Sequence, residues 1–112
     1  MLEIKPIQTK KEQKEICELC GVKFEPACLA YSAKENGKLL GVSQFRIYGE
    51  YAVIYDLSNA ISVDDKEALI ITEKATLNFI DSCGVKEVVL KNGDRINLEG
   101  YFESPCKKNR RW

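Results

Sequence analysis

The stretch Glu35-Asn36-Gly37-Lys38 constrains this chain most, because Asn-Gly between two alternating segments specifies a two-residue hairpin whose central residues both need positive φ. Before the turn, from Cys28 onward, Leu29, Tyr31 and Ala33 alternate with Ser32 and Lys34. After it, KLLGVSQFRIY runs from Lys38 to Tyr48 and places Leu39, Phe45 and Ile47 on one face. Gly49-Glu50 then makes a second tight turn into YAVIYDLS, residues 51–58, with Tyr51, Val53, Tyr55 and Leu57 on one side. The pattern predicts an antiparallel three-strand meander.

Beyond the meander the period changes. In SVDDKEALIITEKATLNFID, residues 62–81, Ala68, Ile71, Ala75 and Phe79 fall at helical spacing, and Ile70, Leu77 and Ile80 widen the apolar surface. Cys83-Gly84 ends the helix, and VKEVVLK follows as a buried strand. Strand, helix, strand demands a right-handed crossover, so the strand reaching Leu90 should run parallel to the one ending near Leu57. At the other end LEIKPI, residues 2–7, predicts a short edge strand. Thr9 then caps a helix, with Gln13 as capping-box partner, apolar positions at Ile16, Cys17, Leu19 and Cys20, and Gly21 as the stop. From Asn92 to Trp112 the pattern is weak, and no internal repeat or linker shows.

A chain of 112 residues has room for one domain with one real core, taken here as 1–112. No signal peptide and no bilayer-length apolar run is present, so the expected location is the cytoplasm. Net charge is zero but uneven: through Pro105 there are 13 basic against 17 acidic side chains, while Lys107, Lys108, Arg110 and Arg111 crowd the end. With only Trp112 beside them as a stacking ring, these four read as a solvated or self-docked tail, not a nucleic-acid surface. Trp112, Tyr48 and Tyr51 read as packing or interface, not a ligand cage.

Five cysteines and no histidine narrow the chemistry further. The odd count and irregular spacing do not suggest a secreted disulfide framework. Cys17 and Cys20 form C-x-x-C, but no second pair completes a zinc site, and the pair closes a helix where a redox motif would open one. Cys17, Cys28 and Cys83 fall on or beside apolar faces and are expected to be small buried hydrophobes, without metal or disulfide; Cys106 is a scattered fifth. Absent histidine also rules out every Ser/His or Cys/His nucleophile pair.

The helix entrance raises the question of an anion site. A helix entered from a strand offers free backbone N–H groups to a phosphate. Here Asp64, Asp65 and Glu67 stand in that doorway, with Asp64 and Glu67 spaced as an acidic capping box. The protein's own charge is expected to fill the site.

The order of elements resembles the GNAT N-acetyltransferase superfamily. The likeness lies in LAYSAKENGKLLGVSQFRI, similar to that family's a-x-x-x-x-G-x-x-V-G hairpin, in CGVKEVVL, similar to its x-G-v-x-x-v-x-L strand, and in LEGYF, similar to its l-G-F. The resemblance implies an α+β mixed sheet with a meander, a crossover helix and a parallel strand. It also implies acyl-CoA-dependent N-acyl transfer with acetyl-CoA as cofactor. The pantetheine arm would add along Leu57, Ser58, Asn59, Ala60 and Ile61. The family's R/Q-x-x-G-x-G/A phosphate loop corresponds to Asp64-Asp65-Lys66-Glu67-Ala68-Leu69, which holds no glycine and no arginine, so the cofactor should bind weakly. The family's acid tyrosine, four residues before its G-F glycine, falls on Ile96, which donates no proton, and Tyr101 is expected to pack. The family's second helix and last strand pair are missing, so a symmetric homodimer is expected to cover the open edge.

Two classes of function follow: an N-acyltransferase, or a catalytically idle ligand- or partner-binding or dimerisation module on the same fold. Glu50 and Asp56 are the meander carboxylates able to act as a base through water, or else are solvated strand charges. No residue is assigned a catalytic role from sequence.

Overall fold

The fold comes from a computed structural model that describes residues 1–101. Strands β1 (Leu2–Pro6), β2 (Leu29–Glu35), β3 (Lys38–Ile47), β4 (Tyr51–Asn59), β5 (Glu87–Leu90) and β6 (Arg95–Asn97) form one sheet in that order, with helices α1 (Lys10–Cys20) and α2 (Lys66–Ser82). The β4–β5 pair is parallel and every other pair antiparallel, so the meander and the crossover stand as expected. Asn36 and Gly37 take φ of 52° and 83°, as the hairpin turn requires. The tail cations, Cys106 and Trp112 lie outside the described residues.

Two one-residue bulges change which side chains share a face. Ala33 pairs with Gly41 and Lys34 with Leu39, so Leu40 is an extra residue on β3. Gln44 pairs with Asp56 and Phe45 with Ile54, so Tyr55 is an extra residue on β4. The expected single face of Leu39, Phe45 and Ile47 is therefore broken: Leu39 packs with Ile16 and Cys20, whereas Phe45 packs with α2. Likewise Tyr51, Val53, Tyr55 and Leu57 do not share a side; Ala52 and Ile54 enter the core before the bulge and Leu57 after it. A bulge is invisible to strict period-two counting.

The sheet is sandwiched between α1 and α2. Against α2, Phe45, Ile54, Leu77, Ile80, Val85, Val88 and Leu98 form the main core, and the Phe45 and Phe79 rings meet edge-on at 5.8 Å. The buried stripe of α2 holds Ala68, Leu77 and Ile80 as expected, but Ile70 and Ile71 are exposed, and Thr72 and Thr76 are buried in their place. Each threonine returns its hydroxyl to the carbonyl four residues back, at 2.6 and 2.9 Å, and Thr76 also meets Ser43 at 2.8 Å. Thus no hydroxyl is left unpaired on that face.

Helix ends also depart in detail. Thr9 caps α1 as expected but accepts the Glu12 N–H, and Gln13 is not its partner; Gln13 is buried. Leu19 is exposed, and Gly21 ends α1 at φ 67°. β6 was not anticipated, because its three residues are too few to show a period. Its turn is a second Asn-Gly, Asn92-Gly93, with polar neighbours on both sides.

Gly41 lets β3 and β4 approach at the base of the site. A Cβ placed there would lie 2.7 Å from the Ser58 carbonyl oxygen. Backbone cannot yield as a side chain can, so Gly41→Ala should cost about 3 kcal/mol, at the upper end of ordinary overpacking. A urea midpoint unchanged from the wild type would refute it.

Candidate functional site

The sheet opens beside β4. Along β4, β5 pairs only with Tyr51–Ile54 and then turns away at Lys91, so residues 56–59 keep β3 on one edge and, among the described residues, no strand on the other. The Tyr55 bulge sits where the two strands part. Ala60 donates its N–H to Leu40 O on the β3 side, so alternation turns the backbone groups of Leu57 and Asn59 toward the open edge. A cavity of about 270 Å³ fills the gap on the α2 side, lined among others by Leu57, Ser58, Glu73, Leu90 and Lys91. A second, of about 280 Å³, opens toward the α1–β2 loop at Val22, Lys23 and Glu25. Both share Tyr55, Asp56, Ser58 and Lys91, so they are two mouths of one gap.

Asp56 is the carboxylate held at the gap. Its side chain is 9% exposed, and its Oδ2 accepts from Gln44 Nε2 at 2.7 Å. Gln44 is wholly buried and saturated: Oε1 accepts from Gln13 Nε2 at 2.8 Å and from the Glu25 N–H at 3.0 Å, while Nε2 also donates to Lys23 O at 2.8 Å. A backbone N–H on one side and a carbonyl on the other leave the amide a single orientation. Gln13 is tied in turn to Glu25 O at 3.1 Å and receives Lys10 Nζ at 3.1 Å. This chain of amides fixes both Asp56 and the loop that forms one mouth. Sequence reasoning missed it, since Gln13 and Gln44 look like ordinary surface polar residues.

Glu50, the other candidate base, lies at the β3–β4 turn near Lys86, Glu87 and Arg95 and does not line the gap. Tyr55 lines both mouths of the gap. Its hydroxyl shares a hydrogen bond with that of Tyr48, which together with partial burial pushes the Tyr55 pKa up to about 12. Tyr55 therefore keeps its proton at neutral pH. Tyr48 is braced by stacking on Tyr51 at 5.2 Å and by the Arg46 guanidinium 4.9 Å from its ring centre. Ile96, at the slot implied for an acid tyrosine, packs against the main core.

Of the five residues implied for cofactor contact, Leu57 and Ser58 line the gap. The Asn59 side chain does different work. It donates to Leu40 O at 3.0 Å and Asp65 O at 3.2 Å, and accepts the Asp65 N–H at 3.2 Å, pinning the β4–α2 loop. Ala60 is buried in the smaller core, and Ile61 is exposed with its N–H on Leu19 O. Asp65, not Asp64, is the N-cap of α2: its Oδ1 accepts the Ala68 N–H at 3.0 Å. The protein's own carboxylate thus occupies part of the helix entrance where a phosphate would sit.

The cysteines divide by burial. Cys17, Cys20 and Cys28 are buried, and burial first of all raises each pKa to about 11. Cys83 is exposed at the α2 C-cap, contrary to expectation, because the helix turns its last apolar residues inward before it. Among the described residues no group of three His, Cys, Asp or Glu could hold a metal ion, and no helix is long and apolar enough to cross a membrane. In a Cys106→Ser background, a thiol reagent at neutral pH should label Cys83 alone until the protein unfolds. A thiol whose folded pKa is raised contributes stability that is full below its unfolded value and lost above it. Stability should therefore fall as pH climbs from 9 toward 11, by on the order of 3 kcal/mol for a single thiol. An unfolding midpoint constant from pH 8 to 11 would contradict this.

No protein-family model matches the sequence, and no curated protein matches it. Solved structures do match its fold. An IAA acetyltransferase from Bacillus cereus superposes with a TM-score of 0.67 over 80% of this chain at 16% identity. This chain spans 65% of that protein's length. PaiA N-acetyltransferase from Thermoplasma acidophilum, in complex with coenzyme A, gives 0.65 at 12% identity over 80% of this chain and 78% of its own. A GNAT family acetyltransferase from Brucella melitensis, in complex with acetyl-CoA, gives 0.63 at 14% over 80% and 75%. The described residues thus carry the fold of these GNAT acetyltransferases, at 12–16% sequence identity to them.

Proposed function

We propose that this chain binds the pantetheine arm of an acyl thioester in the gap between β4 and β5 and passes the acyl group to an amine entering from the α1–β2 side. The observation that carries it is the parting of β4 from β5 at the Tyr55 bulge, with Asp56 held there by Gln44. The open backbone edge at Leu57 and Asn59 suits the two amides of pantetheine. Asp56 accepts the proton of the attacking amine, directly or through a water, as the C–N bond forms and the C–S bond breaks. Asp56, once protonated, returns that proton to the leaving thiolate. Support also comes from structural neighbours that hold coenzyme A or acetyl-CoA.

The filled helix entrance supports a second reading, a module that binds a ligand or partner without catalysis. Asp65 spends its carboxylate on the Ala68 N–H, and Asp64 stands exposed beside it. A thermal-shift titration with S-acetyl-pantetheine and acetyl-CoA separates the two. The transferase reading expects both to stabilise the protein only at millimolar levels, with acetyl-CoA gaining nothing over S-acetyl-pantetheine, since stabilisation follows the logarithm of concentration over dissociation constant. No shift with either at saturation of the solution would leave the binding module.

A further inference from the structure

Lys91 borders both mouths of the gap, beside Asp56. It begins the turn after β5, and that turn is firm: Leu90 N–H donates to Asp94 O at 2.7 Å, Gly93 N–H to Leu90 O at 2.9 Å, and Asp94 N–H to Asn92 Oδ1 at 2.9 Å. From this base the side chain reaches both mouths of the gap. Its Nζ lies 3.7 Å from Asp56 Oδ1, the oxygen that Gln44 leaves open. That separation is longer than a hydrogen bond, and the lysine side chain is 80% exposed, so the ammonium is held near the carboxylate without being locked to it. Lys23, by contrast, lines only the α1-side mouth.

We propose that Lys91 is acylated on Nζ by the thioester bound in the gap, with Asp56 as the base. The inference rests on the acyl-thioester reading above. Asp56 first relays one ammonium proton from Nζ to solvent, and the neutral amine then attacks the thioester carbonyl carbon, so that the N–C bond forms and the C–S bond breaks. Asp56 takes the second nitrogen proton and passes it to the departing thiolate, so the products are the amide, the free thiol and one proton released to water. The resulting amide is neutral and gives up its hold on Asp56. Self-acylation therefore removes the ammonium paired with that carboxylate, and primes the acceptor site for an external amine.

The test needs no knowledge of the external acceptor. The full chain is incubated with acetyl-CoA, and intact mass and peptide mapping follow the label over time, with a thermal shift recorded on the same samples. One acetyl group should appear on Lys91, be absent in Lys91→Arg, and form about a hundredfold more slowly in Asp56→Asn. Asn keeps an oxygen for Gln44, so the variant should fold; if it does not, Lys91→Arg still decides where the label goes. Label spread evenly over exposed lysines, or formed on Lys91 equally fast in Asp56→Asn, would overturn the proposal. A thermal shift without label on Lys91 overturns it while the cleft reading stands, and no shift and no label removes both.

Discussion

Replacing Gln44 with leucine should destabilise the protein by about 4 kcal/mol, because several buried polar groups lose their partner at once and each costs roughly 1–3 kcal/mol, partly relieved by other partners. The Glu25 N–H and one side of the Asp56 carboxylate would be left facing an apolar side chain, and Gln13 and Lys23 O would each lose a bond. Leucine nearly matches the volume, so a cavity contributes little and the loss reports hydrogen bonding. Gln44→Glu is the sharper companion. It keeps the shape but puts a second carboxyl against Asp56, so the new group should hold its proton in the folded state. A raised folded pKa gives stability that is full below the unfolded value of about 4.3 and lost as pH rises through the folded one. Urea midpoints should then show Gln44→Glu near wild type at pH 4 and weakest near pH 8, whereas Gln44→Leu should be weak throughout. Equal midpoints for the leucine variant and the wild type would mean that water replaces the amide, and the case for a rigid Asp56 would fail.

What the sequence made legible were the features set by local chemistry. Asn36-Gly37 needs positive φ, so the hairpin could be placed from two residues. Gly21 and Gly84 end helices for the same reason, with φ of 67° and 86°. The crossover rule then settled the parallel strand without any contact being known. What escaped was set by pairing across the sheet. The Leu40 and Tyr55 bulges are register events between strands, and each swaps the side chains beyond it to the other face. Thr72 and Thr76 bury because Ser43 and the helix carbonyls satisfy them, which no hydropathy pattern reveals. The site was legible to the same degree. Asp56 could be named as a carboxylate on the right strand, but Glu50 looked equivalent until the fold put one beside the gap and the other at a distant turn. Gln44 carries no sequence signal, since its role exists only once Gln13, Lys23 and Asp56 surround it.

Coenzyme A should bind the Asp64→Asn/Asp65→Asn double variant more tightly than the wild type, by roughly thirtyfold. Two unit charges about 4 Å apart repel by about 1 kcal/mol in water and roughly 4 at an effective dielectric of 20. Asp64 is exposed and Asp65 half-buried, so the lower figure governs, and removing two such repulsions is worth about 2 kcal/mol of binding. Asparagine caps a helix as well as aspartate does, so the Ala68 N–H keeps its acceptor and the fold loses only about 0.3–1 kcal/mol of helix-dipole interaction for each charge removed. The helix entrance is then the same shape with neutral walls. Pantetheine, which has no pyrophosphate, is the control: its affinity should not change. Raising the salt concentration should shrink the difference between the two proteins for coenzyme A, because screening acts on exposed charge. A micromolar wild-type affinity would show that the acidic entrance excludes nothing. Equal gains for coenzyme A and pantetheine would place the effect in the β4–α2 loop, where Asn59 holds Asp65, and not in the phosphate contact at all.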